Sequence, residues 1–199
     1  MAFTALNQGV NMSTIAKLSL AEYERMVATG VFDSPKKRRI ELIRGELREM
    51  APIGPSHCEL VDRLNRWSFL NAPQDRVRVR VQNPAAFATV DSEPEPDIVW
   101  AIEKPYKRAH PTADDILLLI EVADSSLGSD RGEKAEIYAE VGIRDYWVVN
   151  LREQIIEVFR EPERNRYRDV RSFEPGDFIE PLAAPGARLN VQELLADES

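Results

Sequence analysis

The run Ile116-Leu117-Leu118-Leu119-Ile120-Glu121-Val122 decides the fold class. It is too short for an ordinary helix and stays apolar until its penultimate position. That is the pattern of a central strand covered on both faces. On such a strand Leu117, Leu119 and Glu121 share one face, and Ile116, Leu118, Ile120 and Val122 share the other. Glu121 therefore extends an apolar row. A carboxylate so placed is costly unless it is paired, hydrogen-bonded or bound to a metal.

Upstream, Glu95-Pro96-Asp97-Ile98-Val99-Trp100 places a second acid at the head of another apolar strand. Pro96 fixes its own φ and biases Glu95 toward extended backbone, so Asp97 is expected at a strand start. Downstream, Ser129 or Asp130 is expected to cap a helix that runs to Val141 and stops at Gly142. On that helix Lys134 shares a face with Ile137, Tyr138 and Val141, which directs its ammonium toward Glu121. Taken singly, each residue has an ordinary reading: a Pro-Asp turn, an acid emerging at a strand end, a lysine snorkelling from a first helical turn. Their order gives them joint meaning.

The rest of the chain reads as short elements around this centre. Ser19 and Glu22 form a capping box for a helix over Leu18–Met26 that Gly30 ends. Arg39 to Met50 reads as two short strands turning at Arg44-Gly45, after which Pro52, Gly54 and Pro55 break the chain. Ser56 to Leu70 is helical, with Leu60, Val61, Leu64 and Trp67 on one buried face. Strands are expected over Arg76–Val81, where apolar residues alternate, and over Ala85–Val90, Ile98–Ile102 and Tyr146–Asn150. Ile155–Phe159 and Tyr167–Phe173 read as a β meander. The proline-rich C-terminal part ends in a short helix near Val191–Leu195. The class is mixed α/β, with strands outnumbering helices. Residues 1–14 are expected to be a flexible tail and 15–199 a single domain.

At 199 residues one well-packed domain is expected. No stretch approaches the ~20 apolar residues that span a bilayer. Met1–Gln8 lacks the basic and apolar regions of a leader. Cys58 is the only cysteine, which excludes an internal disulfide and a multi-cysteine zinc site and suits a reducing, cytoplasmic setting. The net charge of -8 opposes a polyanionic partner at long range. The cations are nonetheless clustered: Lys36-Lys37-Arg38-Arg39, the alternating Arg76, Arg78 and Arg80, and Lys104, Lys107 and Arg108. Any one cluster is more simply a solvated face.

Asp97 and Glu121 offer hard oxygen ligands suited to Mg²⁺, with Mn²⁺ as a substitute. A water acidified by such an ion can attack phosphorus, and Lys134 can orient it or stabilise the transition state. No Gly-x-Ser-x-Gly elbow or phosphate-binding loop offers a rival centre.

From Leu18 to Phe159 the chain resembles the Uma family of restriction-endonuclease-like proteins, within the PD-(D/E)xK nuclease superfamily. The resemblance is carried by Glu41-Leu42-Ile43-Arg44-Gly45-Glu46-Leu47, Pro55-Ser56-His57, Glu95-Pro96-Asp97-Ile98, Leu119-Ile120-Glu121-Val122, Asp130–Ala139 and Asp145-Tyr146-Trp147-Val148-Val149. It implies a restriction-endonuclease-like mixed sheet flanked by helices with an added antiparallel meander. It also implies a metal-dependent endonuclease acting on DNA, often as a homodimer. By that resemblance Asp97 and Glu121 are the metal-binding acids, and Glu46 and His57 occupy recurrent positions lining the site. Ala123 stands where a lysine is expected two residues after the second acid, so Lys134 takes that role from the helix. Ala123-Asp124-Ser125-Ser126-Leu127 also departs from the Ser-Pro-Ser-Thr pattern usual in that loop.

Two other classes compete with a DNA-cleaving enzyme. One is a catalytically weak nuclease fold used as a nucleic-acid-binding or regulatory module; the other is a purely structural oligomer. Metal binding lost in Asp97→Ala separates the first from the enzyme, and for the second Glu121→Gln should stabilise the fold without affecting any metal response.

Overall fold

A computed structural model describes residues 14–33 and 38–196. The expected tail, but for Thr14, and the lysines Lys36 and Lys37 of the first basic cluster lie outside the described residues. The chain runs α1 (Leu20–Ala28), β1 (Ile40–Ile43), β2 (Glu46–Glu49), α2 (Pro55–Asn71), β3 (Val77–Val81), β4 (Ile98–Ile102) and β5 (Ile116–Ala123). A broken helical segment follows: α3 (Leu127–Ser129), a π-helical turn over Asp130–Lys134, and α4 (Ala135–Glu140). Then come β6 (Asp145–Asn150), β7 (Ile155–Glu163), β8 (Arg166–Phe173), β9 (Phe178–Ile179), β10 (Leu189–Asn190) and α5 (Val191–Leu195).

Six strands form one mixed sheet in the order β3-β4-β5-β6-β7-β8. Only β5 and β6 run parallel, joined by the broken helical crossover; the other neighbours are antiparallel. The expected meander is therefore a continuation of the main sheet. Each face of the sheet carries a core. On one, α2 and α5 pack Leu64, Leu194 and Leu195 against Trp100, Ile120 and Trp147. Trp67 stacks on Trp100 with ring centroids 5.4 Å apart. On the other face α4 presses Ile137 and Tyr138 onto Val99, Leu119 and Val148. Burial on both sides explains why β5 is almost wholly apolar.

The hairpin of β1 and β2 turns on Arg44 and Gly45, whose φ angles of 48° and 79° are both positive. That pairing is what a two-residue turn matched to strand twist requires. The capping box of α1 is present, with the Ser19 amide donating to Glu22 Oε2 at 2.8 Å.

Three expectations are corrected. Ala85–Val90 is not a strand: it ends in a 3₁₀ turn over Ala88–Val90, and Asp91 adopts a left-handed φ of 43°. Its amides at Ala85 and Ala86 bond to Pro94 and Pro111 carbonyls instead of a strand partner. Leu117 does not share a face with Leu119. A register shift at Trp100/Ala101 turns Leu117 toward the α2 core and Ile116 toward the α4 core. The crossover helix is not continuous from Ser129 or Asp130. It begins at Leu127 after Ser126 and is broken at Gly132, whose φ of -101° and ψ of -107° leave the helical range. Among the described residues no helix is long and apolar enough to cross a membrane.

Candidate active site

Antiparallel pairing of β4 with β5 sets Ile98 opposite Ile120, which places Asp97 opposite Glu121 one step beyond. The Asp97 amide donates to Glu121 Oε2 at 3.4 Å, and Asp97 Oδ2 accepts from the Val122 amide at 2.9 Å. Two buried acids are thus held side by side at the end of two central strands, 7% and 4% exposed.

The crossover supplies the cation. Lys134 closes the π-helical turn and is itself buried, with Nζ 3.1 Å from Glu121 Oε1. Tyr138, one helical turn on, donates its hydroxyl to the same Oε1 at 2.8 Å. Asp130 lies four residues before Lys134, and its Oδ1 is 3.7 Å from the ammonium. A π-helical turn at a functional cluster is a recurrent association.

The β1–β2 hairpin adds Glu41, whose Oε2 lies 3.8 Å from Lys134 Nζ. From the first turn of α2, where Pro55 occupies the helix start, His57 sets Nε2 3.1 Å from Asp97 Oδ2. Gln82, just past β3 with a φ of 47°, donates to Asp97 Oδ1 at 3.1 Å. Glu41, His57, Asp97, Glu121, Asp130 and Lys134 line a cleft of about 270 Å³ rimmed by Arg39, Arg48 and Glu95.

The electrostatics follow from four carboxylates gathered around one lysine and one histidine. Burial pushes Glu121 up, against the opposing charge of Lys134 and with help from Asp130 and Asp97. Burial likewise raises Asp130. Asp97 would also rise on burial, but its bond to His57 and the Val122 amide hold it below the usual range. The same bond raises His57 and so favours its protonated form beside Asp97. Burial disfavours the Lys134 cation, yet Glu121, Glu41 and Asp130 outweigh that and keep it protonated. Negative charge is in excess, the condition under which a cation is favoured.

Of the expected residues, Asp97, Glu121, Lys134 and His57 meet in this cleft. Glu46 does not. It lies opposite Ile43 in the hairpin register and pairs with Arg48 and Lys17, its side chain 43% exposed. Glu41 takes the inward place: it and Arg48 are cross-strand partners, and Arg48 turns to Glu133. Glu41 carries the signal that reveals Glu121, an acid inside the apolar run Ile40-Glu41-Leu42-Ile43. Asp130 is masked by its resemblance to a helix cap, and Gln82 by its place just beyond a strand.

The donor set suits a hard divalent cation, since all four acids offer oxygen. Two of those oxygens, Glu41 Oε2 and Asp130 Oδ2, are buried without a hydrogen-bond partner. The other acids are turned onto protein donors. Among the described residues no three Asp, Glu, His or Cys side chains converge closely enough to hold a metal as they stand.

Fold and cleft together define a restriction-endonuclease-like α/β protein. The Uma2 family, described as "Putative restriction endonuclease", matches residues 20–192, and the chain belongs to it. A solved structure described as "a putative nuclease belonging to DUF820", from Anabaena variabilis, is similar with a TM-score of 0.68. At 17% identity it covers 89% of this chain and 97% of its own, a likeness of fold. A comparison with curated proteins returns no match.

Proposed function

We propose that this protein is a divalent-metal-dependent endonuclease that hydrolyses DNA phosphodiester bonds, with Mg²⁺ as the cofactor and Mn²⁺ able to replace it. The observation that carries the reading is the buried pair of Asp97 and Glu121, bridged by the Asp97 amide and capped by Lys134 at 3.1 Å. A stable core gains nothing from burying two acids, so their retention points to chemistry.

Asp97 and Glu121 would hold the ion, with Glu41 and Asp130 near enough to share its charge. The ion, when bound, supplies Lewis-acid stabilisation of a phosphoryl oxygen and a water made acidic enough to attack at neutral pH. Lys134 keeps a fixed positive charge beside Glu121, where charge develops on the phosphoryl group. His57 anchors Asp97 Oδ2 and Gln82 anchors Oδ1, which fixes the carboxylate plane.

A second reading has its own support. Glu121 Oε1 is engaged by both Lys134 and Tyr138, an arrangement that also suits a nuclease fold retained as a binding module. The test is incubation with supercoiled plasmid and with a single-stranded oligonucleotide in Mg²⁺, Mn²⁺ or EDTA, alongside Asp97→Ala and Lys134→Ala. Metal-dependent cleavage abolished by both substitutions is expected. Cleavage that survives in EDTA or in Asp97→Ala would overturn the assignment.

A further inference from the structure

The second and third cationic clusters of the sequence come together on the outer edge of the sheet. β3 is an edge strand, and its pairing sets Arg80 opposite Val99 and Arg78 opposite Ala101. Since side chains alternate, Arg78 and Arg80 project from the same sheet face as Gln82 and Asp97. Arg80 is thus one pair of residues, about 7 Å of strand, from the acid cluster, and Arg78 is one pair further.

The loop after β4 folds over this edge. Tyr106 is held there by its hydroxyl, which donates to the Ile102 carbonyl at 2.9 Å. The Arg80 guanidinium lies 5.2 Å and the Lys104 ammonium 5.4 Å from the centre of its ring. Lys107 and Arg108 follow on the exposed loop, beside a hollow that Tyr106 and Lys104 also line.

Most surface cations of this acidic chain have a carboxylate at hand. Arg78 is paired with Glu103 and Lys104 with Asp115. Arg80, Lys107 and Arg108 have no acidic contact among the described residues. Arg80 is half-buried, so water compensates its charge only in part. Burial and the like charge of Arg78 both disfavour its cationic form. An arginine kept in such a place calls for an external anion.

We infer that Arg80, Lys107 and Arg108, on the edge where Tyr106 lies against Arg80, form a backbone-binding surface for the nucleic acid whose scissile bond enters the cleft. The inference rests on the nuclease reading and names a contact surface for its substrate. Cations that touch phosphates supply affinity without reading sequence. A specific protein–DNA interface buries on the order of 1,000 Å² of protein or more, enough to span this edge and the neighbouring cleft. The patch also resolves a conflict in the sequence, because a chain of net charge -8 needs a local cationic surface to approach a polyanion.

The test is fluorescence anisotropy with a labelled duplex and a labelled single strand in EDTA, where hydrolysis does not interfere, over a range of salt. The wild type is compared with R80A/K107A/R108A and with R164A/R166A/R168A, which changes net charge equally at the turn and strand on the opposite edge of the sheet. The first variant should bind at least about tenfold more weakly, with a salt slope shallower by about two to three, while the second stays near wild type. Equal losses in both variants, an unchanged first variant, or no binding by the wild type would overturn the inference. Cleavage is read separately. Hydrolysis with unchanged binding in the first variant leaves the nuclease reading intact and removes this surface. Lost binding in a protein that never cleaves does the reverse.

Discussion

The ammonium of Lys134 lies 3.1 Å from Glu121 Oε1, bringing the end of a π-helical turn onto the middle of a sheet thirteen residues earlier. Each residue lowers the cost of burying the other. Glu121 is the one acid in the apolar run of β5, and Lys134 is 7% exposed at the head of a buried helix face. Glu41 and Asp130 complete the surroundings of the same ammonium at 3.8 and 3.7 Å.

Lys134→Met should therefore destabilise the fold by about 3–5 kcal/mol, because it leaves three buried carboxylates without their cation. Glu121→Gln combined with Lys134→Met should cost less than the two changes summed, with a coupling of about 1–3 kcal/mol. Urea unfolding of the four proteins of this cycle gives the number. Strict additivity would mean that the contact carries no energy.

The two glutamates of the first hairpin should behave differently. Glu41→Gln removes an inward oxygen and should weaken Mn²⁺ binding by roughly tenfold or more. Glu46→Gln touches only the Arg48 and Lys17 pairs at the surface and should leave binding within about a factor of two. Calorimetric titration of both variants makes the comparison.

The sequence exposes the acids at β-strand ends more readily than their partners. Glu121 and Asp97 are legible because an acid beside an apolar run breaks the period that burial imposes. Lys134 is legible because Ile137 and Tyr138 mark the buried face of its helix. Glu46 shows the limit of matching short motifs. Glu41 and Glu46 flank one turn and share a face of the hairpin, and their places along it set Glu41 beside Lys134 and Glu46 beside Lys17 at the turn. The 3₁₀ turn at Ala88–Val90 is hidden for a related reason. The apolar residues just before it, Ala85 and Phe87, fill the α4 core as a strand's would, while their amides bond to the Pro94 and Ser92 carbonyls. The break at Gly132 leaves no periodic trace, since the apolar stripe resumes directly after it.

Gly45→Ala should destabilise the protein by about 1–3 kcal/mol. Gly45 has a φ of 79°, and a Cβ there would stand 2.8 Å from the Leu18 carbonyl oxygen and from Lys17 Cβ. The Leu18 amide also donates to the Gly45 carbonyl at 2.9 Å, so the clash would pry the segment before α1 from the hairpin that carries Glu41. Thermal unfolding reads the loss.

Glu93 provides a pH signature outside the acid cluster. Burial pushes its carboxyl up to about 7, with Glu24 and Glu95 adding like charge. His110 Nε2 stands 4.0 Å away but is itself held toward its neutral form by burial and Arg80. The folded state thus keeps a proton that the unfolded chain releases near 4.5. The favourable contribution is complete below that value and is lost as the pH rises through about 7. Glu93→Gln should match wild type at pH ~5 and exceed it by about 1–3 kcal/mol at pH ~8. Melting curves at the two values, run on both proteins, check the sign.

The most direct measurement is calorimetric titration of Mn²⁺ into the wild type, Asp97→Asn and Glu121→Gln near neutral pH. Wild-type binding that falls at least about tenfold in each variant is the expected result. A wild type that takes up no metal, or variants that bind as the wild type does, would contradict a metal centre at Asp97 and Glu121.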